Sequence, residues 1–211
     1  MDPVRVRPVS FNALVTELAA RITTHPAHPW TRVAIDGPDA ANPAHLADAL
    51  VEPLRVHGHP VQRVSTADFL RPASLRLEQG HQDPDSFYLN WLDTNALRRE
   101  VLDPLSPNGT GQVLPTLWNP KTDRATRAQR IPLPPNGILL LDGPLLLGQA
   151  LPLDLTIHLR LSEPALARQT PAPAHWTLPA FKRYTEEVDP ESLADIVIRL
   201  DNPAHPALVD P

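Results

Sequence analysis

Short apolar segments alternate with helical segments along this chain, and that alternation restricts the fold more than any other feature of the sequence. The expected strands are Arg32–Asp36, Pro60–Ser65, Gly137–Asp142, Leu153–Leu161 and Asp195–Leu200. The expected helices are residues 10–24, with Ser10 as the cap, and then Pro43–His57, Asp85–Leu102, Glu163–Gln169 and Leu178–Val188. Because strands that are apolar along their length are covered on both faces, we predict an α/β sandwich with a mostly parallel sheet between helices.

Residues 103–136 interrupt this alternation with a stretch that is too long for a plain connection. We expect it to form an inserted hairpin or lobe over the crevice at the edge of the sheet. At 211 residues, the chain is predicted to fold as one domain over residues 1–211.

Composition excludes several classes of partner. The formal charge is −5 and no run of Lys or Arg occurs, which argues against nucleic acid or an anionic membrane surface as the main partner. The longest apolar stretch, Ile138–Leu141, is far too short to span a bilayer. Without cysteine there is no disulfide, thiol nucleophile or zinc–thiolate site. We therefore expect a soluble, cytoplasmic protein.

The segment that follows the first of these strands has the layout of a phosphate-binding loop without its ligands. The motif G-x-x-x-x-G-K-[ST] requires a strand, a glycine-rich turn and a helix in that order. Counted from Gly37, Asn42 replaces the second glycine, Pro43 the lysine and Ala44 the hydroxyl residue. Asn42 can still adopt a left-handed conformation, but Pro43 has neither an ammonium nor an N–H, and Ala44 cannot ligate Mg²⁺. An ordinary Asp-Gly turn is the alternative interpretation of these residues.

Acidic residues fall at three predicted strand ends, where ligands collect in parallel α/β sheets. They are Asp36, Asp68 and Asp142, and glycine follows the first and the last. For Asp142, a turn-capping carboxylate and a metal-shell role remain equally open.

The order and spacing of these segments resemble the uridine kinase-like group of P-loop nucleoside kinases, in particular a bacterial branch with a degenerate Walker A loop. The segments that carry the resemblance are 32–37, 67–72, 76–80, 83–88, 103–105, 138–147 and 194–198. The resemblance implies a P-loop kinase sandwich that transfers the γ-phosphate of ATP, with Mg²⁺, to a nucleoside hydroxyl. It implies that residues 162–190 form a reduced lid and helix.

Site roles follow from the same resemblance, position by position. Asp68 and Asp142 are the catalytic candidates, and Asp142 would also hold Mg²⁺. The vestigial nucleotide-binding residues are Gly37, Pro38, Asp39, Ala40, Ala41, Asn42 and, from the lid, Arg168. The substrate-binding candidates, expected in one cleft near the end of the second strand, are Arg71, Arg76, Asp85, Tyr88 and Trp118.

Several positions depart from the pattern of the family. The slot of the general base is Ala67, with Asp68 one residue late, and the hairpin pair that holds the base reads Trp118-Asn119. The lid keeps Arg168 alone before it turns to proline. Arg71 and Arg76 could instead pair with neighbouring carboxylates, Asp85 could serve the helix dipole, and Trp118 could fill the core of the insertion.

We therefore predict an impaired or inactive nucleoside kinase homologue that retains nucleoside or nucleotide binding. ATP and Mg²⁺ are cofactors only if activity remains. One alternative is an active ATP-dependent kinase in which Arg71 or Arg168 replaces the lysine and Asp68 the base. A second is a regulatory or scaffold protein, with a protein partner or a second copy of the chain as its target.

Overall fold

The protein is described by a computed structural model that covers residues 5–25 and 29–210. The strands of the main sheet are β1 (Arg5–Pro8), β2 (Thr31–Asp36), β3 (Val61–Ser65), β8 (Ile138–Gly143), β9 (Leu155–Arg160), β10 (Ile196–Arg199) and β11 (Ala207–Asp210). The insertion holds four strands of two residues each, namely β4 (Gln112–Val113), β5 (Trp118–Asn119), β6 (Arg124–Ala125) and β7 (Ile131–Pro132). The helices are α1 (Phe11–Thr24), α2 (Pro43–Val56), α3 (Ala73–Arg76), α4 (Pro84–Asn90), α5 (Thr94–Leu97), α6 (Glu163–Gln169), α7 (Leu178–Val188) and α8 (Pro190–Leu193).

The seven strands of the main sheet lie in the order β1-β11-β10-β9-β2-β8-β3. Five adjacent strands, β10, β9, β2, β8 and β3, run parallel. At the other edge, β11 pairs antiparallel with β10 and β1 pairs antiparallel with β11. The predicted parallel sheet is confirmed, and all five predicted core strands are present. The antiparallel edge was not predicted.

Alternate residues of the central strands pack into two separate cores. Val33, Ile35 and Leu140 face the layer formed by α1 and α2. Ala34 and its neighbours on β8 face the layer formed by α5, the turns that follow it and the insertion. The sheet is therefore covered on both faces, as the sequence predicts.

Local signals account for the N-terminal helix. The hydroxyl of Ser10 accepts a hydrogen bond from the N–H of Ala13 at 3.2 Å, so Ser10 caps α1. Leu14, Leu18 and Ile22 form one fully buried stripe of this helix.

The single helix predicted over 85–102 is wrong, because the chain breaks at residues 91–93. Asp93 begins a new helix by accepting a hydrogen bond from the N–H of Ala96, and its own N–H bonds to the carbonyl of Phe69. The break brings the chain back to the end of β3.

The insertion forms two small sheets, β4–β7 and β5–β6. None of the helices in the described part of the chain has the length and apolar composition needed to cross a bilayer.

Candidate functional site

The carboxyl ends of β2, β8 and β3 meet at one edge of the sheet, and the candidate site lies there. In the register of the strands, Asp142 of β8 lies between Ile35 of β2 and Ser65 of β3. Asp142 is only 2% exposed. A buried carboxylate requires a charge or hydrogen-bond partner, and the identity of that partner decides what the site can bind.

The partner of Asp142 is an arginine of the neighbouring strand. Arg63 Nε lies 2.7 Å from Asp142 Oδ1 and Arg63 Nη2 lies 3.2 Å from Oδ2, which is a bidentate pair. Ser65 donates its hydroxyl proton to Oδ2 at 3.2 Å, and Arg63 Nη1 contacts Asp48 of α2 at 2.8 Å. Burial by itself would lower the pKa of Arg63, but the bond to Asp142 raises that pKa overall. The guanidinium is therefore a fixed positive charge in the crevice.

Further carboxylates surround this pair. Loss of hydration in the crevice raises the pKa of Asp39, although its side chain keeps solvent contact, and the charge of Asp142 raises it further. Loss of hydration also raises the pKa of Asp68, with Arg63 opposing and Asp142 adding to the effect. With Asp48, the carboxylates around Arg63 outnumber the single guanidinium, so the local charge disfavours an anion such as a phosphate.

The loop after β2 folds as a tight turn. Residues Asp39–Ala41 form a 3₁₀ turn, in which the N–H of Ala41 bonds to the carbonyl of Pro38 and the N–H of Asn42 to that of Asp39. Asn42 adopts the left-handed conformation, with φ of 53° and ψ of 57°, and Pro43 begins α2. These N–H groups bond to the loop itself, whereas a phosphate-binding loop turns such groups towards its ligand.

Gly37 is required by close packing. A Cβ at this position would lie 2.8 Å from the Cβ of Leu159 on β9, which is shorter than any ordinary contact. Packing of the loop against β9 is therefore a sufficient reason for glycine here.

The residues present do not fit a magnesium–nucleotide complex. Pro43 and Ala44 supply neither ammonium nor hydroxyl, and both oxygens of Asp142 already bind Arg63. Within residues 5–25 and 29–210, no group of three or more His, Cys, Asp or Glu side chains could hold a metal ion.

A second buried carboxylate lies at the end of β2, and sequence reasoning treated it mainly as part of a turn. Asp36 is fully buried and accepts hydrogen bonds from the N–H of Leu146 at 2.8 Å and the hydroxyl of Tyr184 at 3.1 Å. His158 Nδ1 of β9 lies 2.7 Å from the same carboxylate. Burial, and then the charge of Asp36, raise the pKa of Tyr184 far above its ordinary value, so the phenol stays protonated. The network ties α7 to the strand that leads into the loop.

The predicted substrate residues have different side-chain partners, and a shared cleft stays a prediction. Arg76 is buried, donates to the carbonyl of Arg71 at 2.6 Å and stacks over Trp91 with 5.1 Å to the ring centre. Asp85 and Tyr88 turn towards Arg183 of α7. Arg183 Nη1 contacts Asp85 at 2.9 Å, and the guanidinium lies 4.6 Å from the ring centre of Tyr88.

Two other predicted residues have contacts of their own. Trp118 of β5 is half-buried and donates its Nε1 proton to Asp123 at 3.0 Å. Arg168 at the end of α6 is exposed and donates to the carbonyl of Asp201 at 3.1 Å. A ligand role for either residue stays a prediction.

Comparison with known proteins identifies the architecture. No family model matches the chain, and no curated protein matches it. Among solved structures, it is similar to a possible uridine kinase from Bacillus stearothermophilus, with a TM-score of 0.72 and 18% identity over 88% of this chain and 97% of that one.

Two further solved structures are similar. A "putative fructose transport system kinase" from Silicibacter gives a TM-score of 0.54 and 18% identity over 74% of this chain and 78% of that one. The structure of the YGR205w protein gives a TM-score of 0.56 and 13% identity, over 95% of this chain and 96% of that one. The predicted P-loop kinase sandwich is thus confirmed as a fold.

Proposed function

We propose that this protein is a uridine kinase-like homologue that binds a nucleoside or nucleotide and has lost efficient phosphoryl transfer. The observation that carries the proposal is the bidentate pair between Arg63 and Asp142. In a P-loop kinase of this shape, the carboxylate at that strand end helps to hold Mg²⁺. Here the chain's own guanidinium neutralises it.

The electrostatics of the crevice support the same conclusion. Phosphoryl transfer depends on positioning and on neutralising the charge of the phosphates. The crevice instead holds the surplus carboxylates Asp39 and Asp68, both with raised pKa values. A single lost stabilising group of this kind costs roughly 3 kcal/mol of transition-state stabilisation, and several are lost together.

A cavity beside the loop supports retained nucleoside binding. It has a volume of about 530 Å³, in the range of small-molecule sites, and is bordered by Asn42, Leu46, Leu200 and Pro203. Phe11 and His45 also line it, and their rings stack with 4.8 Å between centres. An aromatic surface beside an amide suits a planar base.

One observation favours an active kinase as the second candidate. Asp68 lies one residue after the expected base position, and its raised pKa brings this carboxyl nearer to the range in which a general base works well. Transfer of labelled phosphate distinguishes the two candidates.

The test is calorimetric titration of the full chain with ATP and Mg²⁺, and separately with uridine, alongside labelled-phosphate transfer. We expect a dissociation constant for ATP no better than about 1 mM, which corresponds to about −4 kcal/mol. We expect no transfer above background. Micromolar ATP affinity or robust transfer to uridine would refute the proposal.

A variant with a repaired loop tests the same proposal through a gain of ATP affinity. Replacing Asn42→Gly, Pro43→Lys and Ala44→Thr restores the glycine, the ammonium and the hydroxyl, and ATP affinity should rise about tenfold. The control carries Asn42→Gly, Pro43→Met and Ala44→Val, which change the backbone without adding polar groups. Equal ATP affinity in the two variants would show that ATP does not bind at this loop.

A further inference from the structure

A second cavity lies away from the crevice, between β9 and the helices α6, α7 and α8. Its volume is about 510 Å³, and it continues into a narrower space of about 40 Å³ that reaches Gly37 and Tyr184. Residues that line both spaces are His158, Leu161, Leu166, Phe181, Thr185 and Pro190. The walls are mostly apolar and the volume suits a small organic molecule.

His158 is the buried polar group at this cavity, with a side chain 7% exposed. Its Nδ1 faces Asp36, which also accepts hydrogen bonds from the hydroxyl of Tyr184 and from a backbone N–H. A carboxylate accepts hydrogen bonds only, so the imidazole directs an Nδ1 proton to Asp36. A ring that carries this proton alone has a lone pair on Nε2.

Nε2 of His158 is available to a ligand. It has no hydrogen-bond partner among residues 5–25 and 29–210. It is also not sealed off, because Arg199 Nε is the only fully enclosed side-chain polar atom without a partner in that part of the chain. An acceptor nitrogen that borders a cavity gains a hydrogen bond when a ligand N–H or O–H enters.

The charges around the cavity indicate which donor it prefers. Arg160 pairs with Glu191 at 2.5 Å, and Lys182 lies 3.9 Å from Glu186. Glu163 is an exposed third carboxylate of the lining, for which the described chain supplies no cation. Behind the imidazole lies the carboxylate of Asp36, whose other partners are the hydroxyl of Tyr184 and the N–H of Leu146.

We propose that this cavity binds a small organic amine, with its ammonium donating to His158 Nε2 and its apolar body against the walls of α6 and α7. In this proposal the imidazole carries one proton, so the Asp36–His158 pair keeps the negative charge of the carboxylate. That charge favours a cationic donor over a neutral one and disfavours an anion. None of the residues that line the larger cavity belongs to the loop 37–44 or to the Arg63–Asp142 pair. The larger cavity is therefore separate from the Arg63–Asp142 pair, and only its narrow extension reaches the loop at Gly37.

Three probes of equal ring and chain length test the charge preference on the full chain at pH 7.5. They are 2-phenylethylamine, 2-phenylethanol and phenylacetate, titrated by calorimetry and by saturation-transfer NMR. We expect the amine to bind at least about fivefold more tightly than the alcohol, and phenylacetate not to bind. Equal affinities, or no binding of the amine up to 10 mM, would overturn the proposal.

Two variants locate the binding. His158→Phe removes the acceptor and should weaken amine binding about tenfold, whereas His57→Phe, an exposed histidine on another face, should not. Ala167→Trp fills the cavity without touching the network, and Ala172→Trp is its exposed control outside the cavity. If His158→Phe fails to fold, Ala167→Trp decides alone. Unchanged amine binding in folded Ala167→Trp would place the amine elsewhere and refute the site.

Discussion

Asp36 and Asp142 occupy comparable positions at the ends of the adjacent parallel strands β2 and β8, and both are buried. Their partners differ in charge. Asp142 binds the guanidinium of Arg63, whereas Asp36 binds a phenol, an imidazole and a backbone N–H. One carboxylate pairs with a fixed cation, and the other accepts three hydrogen bonds.

This difference separates the binding properties of the two halves of the sheet edge. At Asp142 the negative charge is already matched, so a metal ion would have to displace Arg63 from both oxygens. At Asp36 no guanidinium of the described residues contacts the carboxylate, and His158, which lines the second cavity, is one of its three hydrogen-bond partners. We therefore expect Arg63 to hinder a metal ion at Asp142, and the proposed amine to bind on the side of His158.

Removing Asp36 should cause the largest loss of stability. Asp36→Ala leaves three buried donors without an acceptor, and we expect the free energy of unfolding to fall by about 3–5 kcal/mol, measured by urea denaturation. Asp195→Ala is the control. Asp195 is an exposed carboxylate that accepts two hydrogen bonds, both from Thr156. Its loss should cost about 1 kcal/mol. Equal costs would mean that burial of Asp36 contributes nothing.

Separating Arg63 from Asp142 should have a smaller effect, because Arg63 retains solvent contact. We expect Arg63→Met to cost about 1–3 kcal/mol, since it leaves a buried carboxylate unpaired. Adding Asp142→Asn should restore part of this loss, which gives a coupling energy of about 1–2 kcal/mol in a double-mutant cycle.

The matched cycle pairs Arg63 with Asp48, which is exposed, and should give at most about 0.5 kcal/mol. If the two cycles give the same coupling, the pair with Asp142 behaves as a surface contact. Arg63 would then not hold Asp142 firmly enough to hinder a metal ion there.

Local sequence patterns predicted the framework of this site but not the partners within it. Alternation placed β2, β8 and β9, and asparagine at position 42 was compatible with the left-handed turn that the loop adopts. The partners of Asp36 are 110 to 148 residues away in the chain, so only the strand order brings them together. The break at Asp93 had a local signal, a capping residue before a new helix, that the continuous apolar pattern obscured.

Arg63 illustrates the same limit. It lies two residues before Ser65, so strand alternation places both side chains on one face. Its contact with Asp142 depends on β8 lying between β2 and β3, which no spacing along the chain reveals. The resemblance to a kinase drew attention to missing residues, whereas the structure adds a residue that occupies the site.

The pH dependence of stability gives the smallest and most specific test of the crevice. Because the folded state raises the pKa of Asp39 above its ordinary 3.8, the folded chain holds this proton more tightly than the unfolded chain does. The contribution of Asp39 to stability therefore falls as the pH rises from about 4 towards neutrality.

Asp39→Asn should raise the free energy of unfolding at pH 7 by about 0.3–0.5 kcal/mol, a figure kept small by the solvent contact of this side chain. The gain should vanish at about pH 2.5, well below the ordinary pKa of 3.8, where the wild-type carboxyl is protonated in both states. Calorimetric melting at both pH values measures this, with Asp48→Asn as the control, since Asp48 pairs with Arg63 and its neutralisation should not stabilise. A loss of stability in Asp39→Asn at pH 7 would mean that the crevice around Asp142 is not the negatively charged region inferred from its carboxylates.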